Sequence, residues 1–215
     1  MVDEAKPKKR KNSKAKGSGY ENTTAKLFSS TFSPLNFRRS QQSGAIVGGK
    51  NVKIIDTFSD DMKVLFVGDV VPTNESDCDF TFRFSIECKF YKDADSLDAF
   101  LGQKNCKVYA WYQEAVVDAA KLCRLPIVVF KFNHTADYIC VGGDVELPHG
   151  VDYIKAVQDE NNVKIALLKQ VLETRDWWLV NKQTGQCMLY GGKNILEDHN
   201  KDERAESQSD SPNGA

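Results

Sequence analysis

The fold is decided by residues 81–89, which read Thr-Phe-Arg-Phe-Ser-Ile-Glu-Cys-Lys. Apolar and polar side chains alternate along this stretch, a period of two that is typical of a β-strand with one buried face. Because side chains alternate across a strand, Glu87 and Lys89 lie side by side on the polar face. A carboxylate and an ammonium in this position can hold a divalent metal ion and stabilise charge on a phosphate. A salt bridge on a half-exposed strand would give the same tripeptide.

A second acidic residue favours the metal site over the salt bridge. Residues 63–71, Lys-Val-Leu-Phe-Val-Gly-Asp-Val-Val, are predicted to form a strand in which Asp69 is surrounded by apolar residues. An unpaired carboxylate in such a place is costly, so it needs a cation, a metal ion or an exposed strand end. Residues 71–74, Val-Pro-Thr-Asn, are expected to close the strand and to leave Asp69 near the rim of the sheet.

The predicted chemistry is hydrolysis of a phosphodiester bond. Two carboxylates on adjacent strands suit Mg²⁺, which prefers oxygen ligands and often bridges to a substrate phosphate. Asp69 and Glu87 are the expected metal ligands, and Mn²⁺ is an expected substitute for Mg²⁺. Lys89 is expected to orient the attacking water or to neutralise charge that develops on the phosphate.

Asp69 followed by Glu87-x-Lys89 resembles the motif of the PD-(D/E)XK nuclease superfamily. Gly68-Asp69 here stands where many members have Pro-Asp. The resemblance implies an α/β fold with a restriction-endonuclease-like core, in which helices flank a central mixed β-sheet in the order α-β-β-β-α-β. A C-terminal helix and a hairpin are predicted to extend this core.

Flanking motifs resemble members of the Holliday-junction-resolvase type, over residues 19–141. A helix is predicted to open at Gly19-Tyr20-Glu21, and it is followed by Arg38-Arg39-Ser40 and Ser43-Gly44-Ala45. The resemblance implies that Glu21 is a third catalytic carboxylate and metal ligand, and that Gln113, on a later helix, reaches the attacking water or the phosphate. It also implies DNA contacts from Arg38, Arg39 and Ser43, a branched duplex DNA substrate, and a twofold dimer that cuts two strands symmetrically.

Two other functions remain open at this point. One is a DNA-binding or assembly protein that kept the nuclease fold but lost activity, against which the intact Asp69, Glu87 and Lys89 argue. The other is a repair or sequence-specific endonuclease that acts on linear duplex. A cysteine protease has no supporting motif around Cys88 or Cys106.

The two ends of the chain differ in charge although the net charge is only −1. Residues 1–18 hold seven basic residues against two acidic ones, and residues 197–215 hold six acidic residues against two basic ones. Both ends are predicted to be disordered, and residues 19–196 to form one nuclease domain. The basic arm could bind DNA phosphates without sequence preference, or could only aid solubility; its contacts would come from Lys8, Lys9, Arg10 and Lys11.

Composition is typical of a soluble intracellular protein. The 215 residues are 41% hydrophobic, enough for one core, and no apolar run reaches the length of a membrane span. The N-terminus lacks the apolar stretch of a signal peptide. The six cysteines show no Cys-x-x-Cys pair, which argues against a zinc site and favours reduced thiols in the cytoplasm. The resemblance also allows a viral origin.

The pattern of apolar residues predicts the remaining elements. Helices are predicted at about 20–31, after Asp95, at 106–123 and at 163–174, and strands at 51–58, 63–71, 80–91, 126–132 and 137–141. Residues 32–50 are predicted to include a basic loop. Residues 176–180 and 186–190 are predicted to form a hairpin. Trp177 and Trp178 are interpreted as core residues, with a stacking platform as the alternative.

Overall fold

The structure is a computed structural model that describes residues 13–40, 63, 65–102, 104–158 and 161–184. Several predictions lie outside these residues. They are the strand at 51–58, the second strand of the C-terminal hairpin, the DNA contacts of the basic arm (Lys8, Lys9, Arg10 and Lys11) and of Ser43, and the acidic tail.

The described part of the chain is built on a seven-stranded mixed sheet with the order β1-β2-β4-β5-β6-β8-β7. The pair β4 and β5 is parallel, and the other pairs are antiparallel. The strands are β1 Phe37–Arg39, β2 Val70–Pro72, β4 Phe84–Tyr91, β5 Leu125–Phe132, β6 Asp137–Gly142, β7 Tyr153–Gln158 and β8 Asn161–Leu167. A second sheet joins β3 Phe80–Phe82 to β9 Leu179–Asn181.

Helices cover both faces of the large sheet. The helices are α1 Ser13–Thr31, α2 Leu97–Phe100, α3 Lys107–Ala120 and α4 Leu168–Leu172. Buried residues of α1 share a core cluster with Ile86 and Cys88, whereas those of α3 share another with Val128 and Phe130. Because neighbouring residues of a strand point to opposite faces, α1 and α3 lie on opposite sides of the sheet. This mixed α/β arrangement confirms the predicted restriction-endonuclease-like fold.

Aromatic side chains fill the core beneath α1. Phe28 and Phe32 are fully buried and stand four residues apart, the spacing that places two side chains on one face of a helix. The ring centroid of Phe28 lies 5.3 Å from that of Trp178 in an edge-to-face contact. Trp177 and Trp178 are both buried, with 4% and 0% of their surface exposed. Their interpretation as core residues is therefore confirmed.

The predicted elements between residues 97 and 142 are confirmed within a few residues. They are the short helix α2 after Asp95, the helix α3, and the strands β5 and β6. Helix α3 buries Val108, Trp111, Tyr112, Ala115 and Ala119. This spacing of three and four residues is the apolar stripe that the sequence contains.

Three predictions before residue 92 need correction. Helix α1 begins at Ser13, within the predicted arm rather than at residue 20. Arg38 and Arg39 lie in strand β1, not in a loop, because the backbone of β1 pairs with β2. The predicted strand at 80–91 is interrupted at Arg83, whose N–H donates to the carbonyl oxygen of Trp178. The chain therefore passes from the small sheet into the large one at this residue.

The predicted helix over residues 163–174 is wrong for its first half. Residues 161–167 form strand β8, which pairs with β6 on one side and with β7 on the other. Val163 and Ile165 are buried and lie two residues apart, so the strand period fits this stretch as well as the helical one. The sequence-based interpretation also missed β7. The strand predicted at 176–180 is found only at its end, in β9, because Arg175–Trp178 form a turn of 3₁₀-helix.

Candidate active site

The candidate site lies where β2 begins beside the centre of β4. Val70 of β2 pairs with Ile86 of β4, so the same antiparallel register brings Asp69 opposite Glu87. The observed strand is much shorter than the one predicted at 63–71, since β2 starts only at Val70. Residues 65–69 form turns, and the N–H groups of Phe66 and Val67 both donate to the carbonyl oxygen of Lys63. Asp69 thus ends a turn rather than lying inside a strand.

Gly68 explains both the short strand and the missing proline of the motif. Its φ is +85°, a conformation that glycine adopts readily and that the ring of proline forbids. A Cβ atom at this position would lie 3.0 Å from the carbonyl oxygen of Ile86 and 3.1 Å from the hydroxyl oxygen of Ser85. Gly68 therefore permits the close approach of the turn to β4.

Three backbone hydrogen bonds fix Asp69. Its N–H donates to the carbonyl oxygen of Ile86 at 2.8 Å, and its own carbonyl oxygen accepts the N–H of Ser40 at 2.8 Å. Its side-chain Oδ2 accepts the N–H of Cys88 at 2.9 Å. Because Cys88 stands between Glu87 and Lys89, main-chain atoms hold the Asp69 carboxylate beside this tripeptide.

Lys89 bridges two carboxylates on the α3 side of the sheet. Its Nζ lies 3.0 Å from Oε1 of Glu87 and 2.8 Å from Oε2 of Glu114. The side chains of Glu87 and Lys89 are each 19% exposed, whereas that of Glu114 is 63% exposed. The sequence-based interpretation missed Glu114, because no motif marks it and its position on α3 resembles an ordinary solvent-facing one.

Negative charge is concentrated at the site. Burial raises the pKa of Glu87 to about 8, and the charge of Asp69 adds to this rise. Burial also raises the pKa of Asp69, against the hydrogen bond from Cys88. A hydrogen bond from the carboxyl group of Glu87 stabilises the Asp69 carboxylate. The register of β2 and β4 sets the two carboxyl groups opposite each other, and without a cation the pair favours holding one proton.

Lys89 remains charged in this environment. Burial by itself would lower the pKa of Lys89, but the carboxylates of Glu87 and Glu114 outweigh it and raise this pKa. A permanent ammonium is what stabilisation of a phosphorane-like transition state requires, whereas a general base would need a lowered pKa. The environment of Lys89 thus favours an electrostatic role.

Glu21 approaches the site from α1. Its carboxylate forms an ion pair with the guanidinium of Arg39 on β1. Arg39 in turn pairs with Val70, the residue that follows Asp69, and the negative charge of Glu21 contributes to the raised pKa of Asp69. The structure therefore brings Glu21 to the same end of the sheet as Asp69 and Glu87. Its role as a metal ligand stays a prediction.

The other predicted residues are placed differently. Gln113 is exposed on α3 next to Glu114, and it is Glu114 that contacts Lys89. Arg38 is exposed on β1, beside Arg39. Both arginines lie on the edge strand of the large sheet, where a phosphate backbone could reach them. The catalytic role of Gln113 and the DNA contacts of Arg38 and Arg39 stay predictions.

The donor set suits a hard divalent cation. Within the described ranges, no group of three or more His, Cys, Asp or Glu side chains is arranged as a complete metal cage. Asp69 and Glu87 nevertheless offer two carboxylates on adjacent strands. Burial raises the pKa of both, the charge of Glu21 adds to the rise for Asp69, and the charge of Asp69 adds to the rise for Glu87. Mg²⁺ uses one or two carboxylates and completes its octahedron with water and phosphate oxygens. Asp69 and Glu87 would hold such an ion.

A central mixed sheet with this acid pair and lysine defines the class of PD-(D/E)XK nucleases. A scan against protein-family models matches residues 12–183 to the family described as "Phage putative PDDEXK endonuclease". The match covers most of the chain, and the protein belongs to this family. It is therefore a nuclease, and the family implies DNA as its substrate and the divalent-metal dependence that is general in PD-(D/E)XK enzymes.

Neither the curated proteins nor the solved structures yield a match to this chain. Among the helices of the described residues, none has both the length and the apolar character that crossing a bilayer demands.

Proposed function

We propose that the protein is a Mg²⁺-dependent DNA endonuclease, with Mn²⁺ as a substitute, that acts on Holliday junctions or other branched DNA. One observation carries the catalytic assignment: the pairing of β2 with β4 sets Asp69 opposite Glu87, and the Lys89 ammonium lies 3.0 Å from Glu87. Acidic and basic groups so close together, half-buried beside a strand end, are suited to phosphodiester chemistry.

In the proposed reaction a water molecule adds to phosphorus, the bond from phosphorus to the leaving sugar oxygen breaks, and that oxygen takes a proton. A bound divalent ion supplies charge stabilisation and a more acidic water. Asp69 and Glu87 hold the ion, and the N–H of Cys88 keeps the Asp69 carboxylate in place. Lys89 stabilises negative charge on the phosphate oxygens, and its pair with Glu114 restrains the ammonium on the α3 side.

Preference for branched DNA rests on the order of motifs along the chain and on where they lie. Helix α1 brings Glu21 to the site, and the basic residues Arg38 and Arg39 lie on the adjacent edge strand. A nuclease that resolves a four-way junction must cut two strands symmetrically, so a twofold dimer is part of this proposal. The basic arm, with Lys8, Lys9, Arg10 and Lys11, would add nonspecific phosphate contacts.

A cleavage assay with four-way junction, flap and linear duplex substrates of the same sequence tests the proposal. We expect cleavage in Mg²⁺ or Mn²⁺ and none in EDTA, with the four-way junction cut fastest. Equal cleavage rates on all three substrates would contradict the preference for branched DNA and would indicate an endonuclease that acts on linear duplex. Absence of cleavage together with tight DNA binding would indicate an inactive nuclease-fold binding protein.

A further inference from the structure

A cavity of about 670 Å³ lies on the α1 side of the sheet, and the proposed reaction does not use it. Its walls come from the first half of α1 and from the ends of β4, β5 and β6, and they include Lys16, Gly19, Tyr20, Phe90, Lys131 and Asp137. The volume lies within the range of small-molecule sites. Phe90 follows Lys89 directly, but it points to the opposite face of the sheet.

The cavity combines an aromatic floor with charged groups of both signs. The ammonium of Lys16 lies 3.8 Å from the centre of the Phe90 ring. Lys131 pairs with Asp137 at 3.1 Å, so an ammonium and a carboxylate lie together in the wall. An aromatic face, hydrogen-bond donors and an acceptor are what a nucleobase needs, whereas a bare phosphate would be repelled by Asp137.

Tyr20 adds a second aromatic ring to the cavity wall. The centroids of the Tyr20 and Phe90 rings lie 5.4 Å apart. The hydroxyl of Tyr20 is buried away from the cavity, with Asp137 and Thr24 as its polar neighbours. A ligand therefore meets the aromatic surface of Tyr20 rather than its hydroxyl, which favours a stacked base.

We propose that this cavity receives an unpaired nucleobase of the DNA strand, stacked on Phe90, while Lys16 exchanges its contact with the ring and its hydrogen bond to Oδ1 of Asn133 for a neighbouring phosphate. Lysine side chains are flexible enough for this movement. The inference rests on the proposed function and deepens it, because a pocket for an unpaired base favours branched or frayed DNA over fully paired duplex. The pocket and the proposed catalytic groups lie near the same end of β4, but on opposite faces of the sheet.

Gly19 offers a way to close the cavity without touching catalytic groups. Gly19 lines the cavity, and a Cβ atom there would meet no heavy atom within 4 Å, so the side chain of Gly19→Leu starts in open space at the cavity wall. Leucine is also a better helix former than glycine, and α1 should keep its fold. Asn22→Leu is the matched control, since Asn22 is exposed on the same helix and does not line the cavity.

The experiment measures binding of a duplex that carries 2-aminopurine in a single-stranded overhang, in EDTA so that no cleavage occurs. We expect quenching of its fluorescence by the wild-type protein and by Asn22→Leu, and at least tenfold weaker binding with loss of quenching in Gly19→Leu. Absence of quenching in the wild type, or equal binding and quenching by Gly19→Leu, would overturn the proposal.

Two further arms separate the alternatives. If 2-aminopurine deoxyribonucleoside monophosphate binds as tightly as the overhang, the cavity is a site for free nucleotides and the DNA proposal is overturned. Cleavage of fully paired duplex in Mg²⁺ is measured in parallel, and we expect Gly19→Leu to retain it. If the wild type cleaves no DNA but shows quenching that Gly19→Leu loses, the proposed function fails and the base-binding pocket stands.

Discussion

The side chain of Asp69 is tied to the backbone of Cys88 by a hydrogen bond of 2.9 Å between Oδ2 and the N–H group. Cys88 itself points away from the site, into the core beneath α1. The residue between Glu87 and Lys89 therefore contributes its main chain to the candidate site and its side chain to packing. This division explains how a small apolar residue serves at the centre of the motif.

Loss of either acidic ligand should abolish cleavage. Asp69→Asn and Glu87→Gln each remove a negative charge from the metal site, so Mg²⁺-dependent cleavage should fall below detection. DNA binding should remain or tighten, because repulsion between carboxylates and phosphates is relieved. Cleavage gels and binding titrations measure the two effects. Glu173→Gln, an exposed residue far along the chain, is the matched control, and full cleavage by either site variant would contradict the assignment.

Substitution of Lys89 distinguishes a catalytic ammonium from one that only forms a salt bridge. Lys89→Ala should slow cleavage about a hundredfold or more, the effect of removing one preorganised electrostatic group. Lys89→Arg should also fail, because a planar guanidinium cannot replace a compact ammonium. A simple salt bridge would instead give normal rates and about 1 kcal/mol of lost stability at most. Single-turnover rates and melting temperatures decide between these outcomes, with Lys169→Ala as the exposed control.

Substitution of Gly68 should reduce DNA cleavage as strongly as substitution of a catalytic residue. Gly68→Ala adds a Cβ atom 3.0 Å from the carbonyl oxygen of Ile86 and imposes strain at a φ of +85°. Gly68→Pro should be worse, although it creates the Pro-Asp of related nucleases. Gly150→Ala is the matched control, since its φ is +84° but a Cβ there meets nothing within 4 Å. If both alanine variants cleave DNA equally well, the contact with β4 is unimportant.

The acid pair should make the stability of the metal-free protein fall as pH rises. Glu87 has a pKa of about 8 in the folded protein and an ordinary value of 4.5, so the folded state binds the proton more tightly. The stabilisation is complete below the ordinary value and is lost as pH rises through the folded one. The contribution falls by at most about 1.4 kcal/mol per pH unit.

Urea unfolding in EDTA at several pH values measures this dependence. Glu87→Gln should reduce the slope, because glutamine does not titrate. Saturating Mg²⁺ should also reduce it in the wild type, since metal binding competes with protons. A wild-type slope identical to that of Glu87→Gln would show that Glu87 has an ordinary pKa.

A buried ion pair away from the site should affect stability alone. Oε2 of Glu75 lies 2.5 Å from the guanidinium of Arg124, and Oε1 accepts the N–H of Phe82 at 2.6 Å. Glu75→Ala leaves the arginine uncompensated and should cost about 3–5 kcal/mol. Asp77→Ala, at an exposed position in the same turn, should cost little. Chemical unfolding and the cleavage rate of the remaining folded protein give the two readouts; equal stabilities of the two variants would contradict this account.

Strand β4 and helix α3 could be predicted from the sequence because each shows one clear spacing of apolar residues: every second residue in β4, and every third or fourth in α3. Glu87 and Lys89 could be placed on one face from alternation alone. Strand β8 was mistaken for part of a helix because two spacings coexist there. Val163 and Ile165 are two residues apart, as in a strand, whereas Val163 with Ala166 and Ile165 with Leu168 are three apart, as in a helix. Only pairing with β6 and β7 decides between them. The contact of Glu114 with Lys89 depends on how α3 packs across the sheet, which local sequence does not encode.

The small sheet formed by β3 and β9 has a consequence for the order of folding. Phe82 pairs with Leu179, and the backbone of Arg83, at the entrance to the catalytic strand, bonds to Trp178. Partners almost a hundred residues apart meet only after a large loop has closed, which is slow. During synthesis, the small sheet and the backbone bond of Arg83 at the entrance to β4 can therefore form only after residues 178–181 have been made. The last contacts at the start of the strand that holds Glu87 and Lys89 thus depend on a segment that is synthesised late.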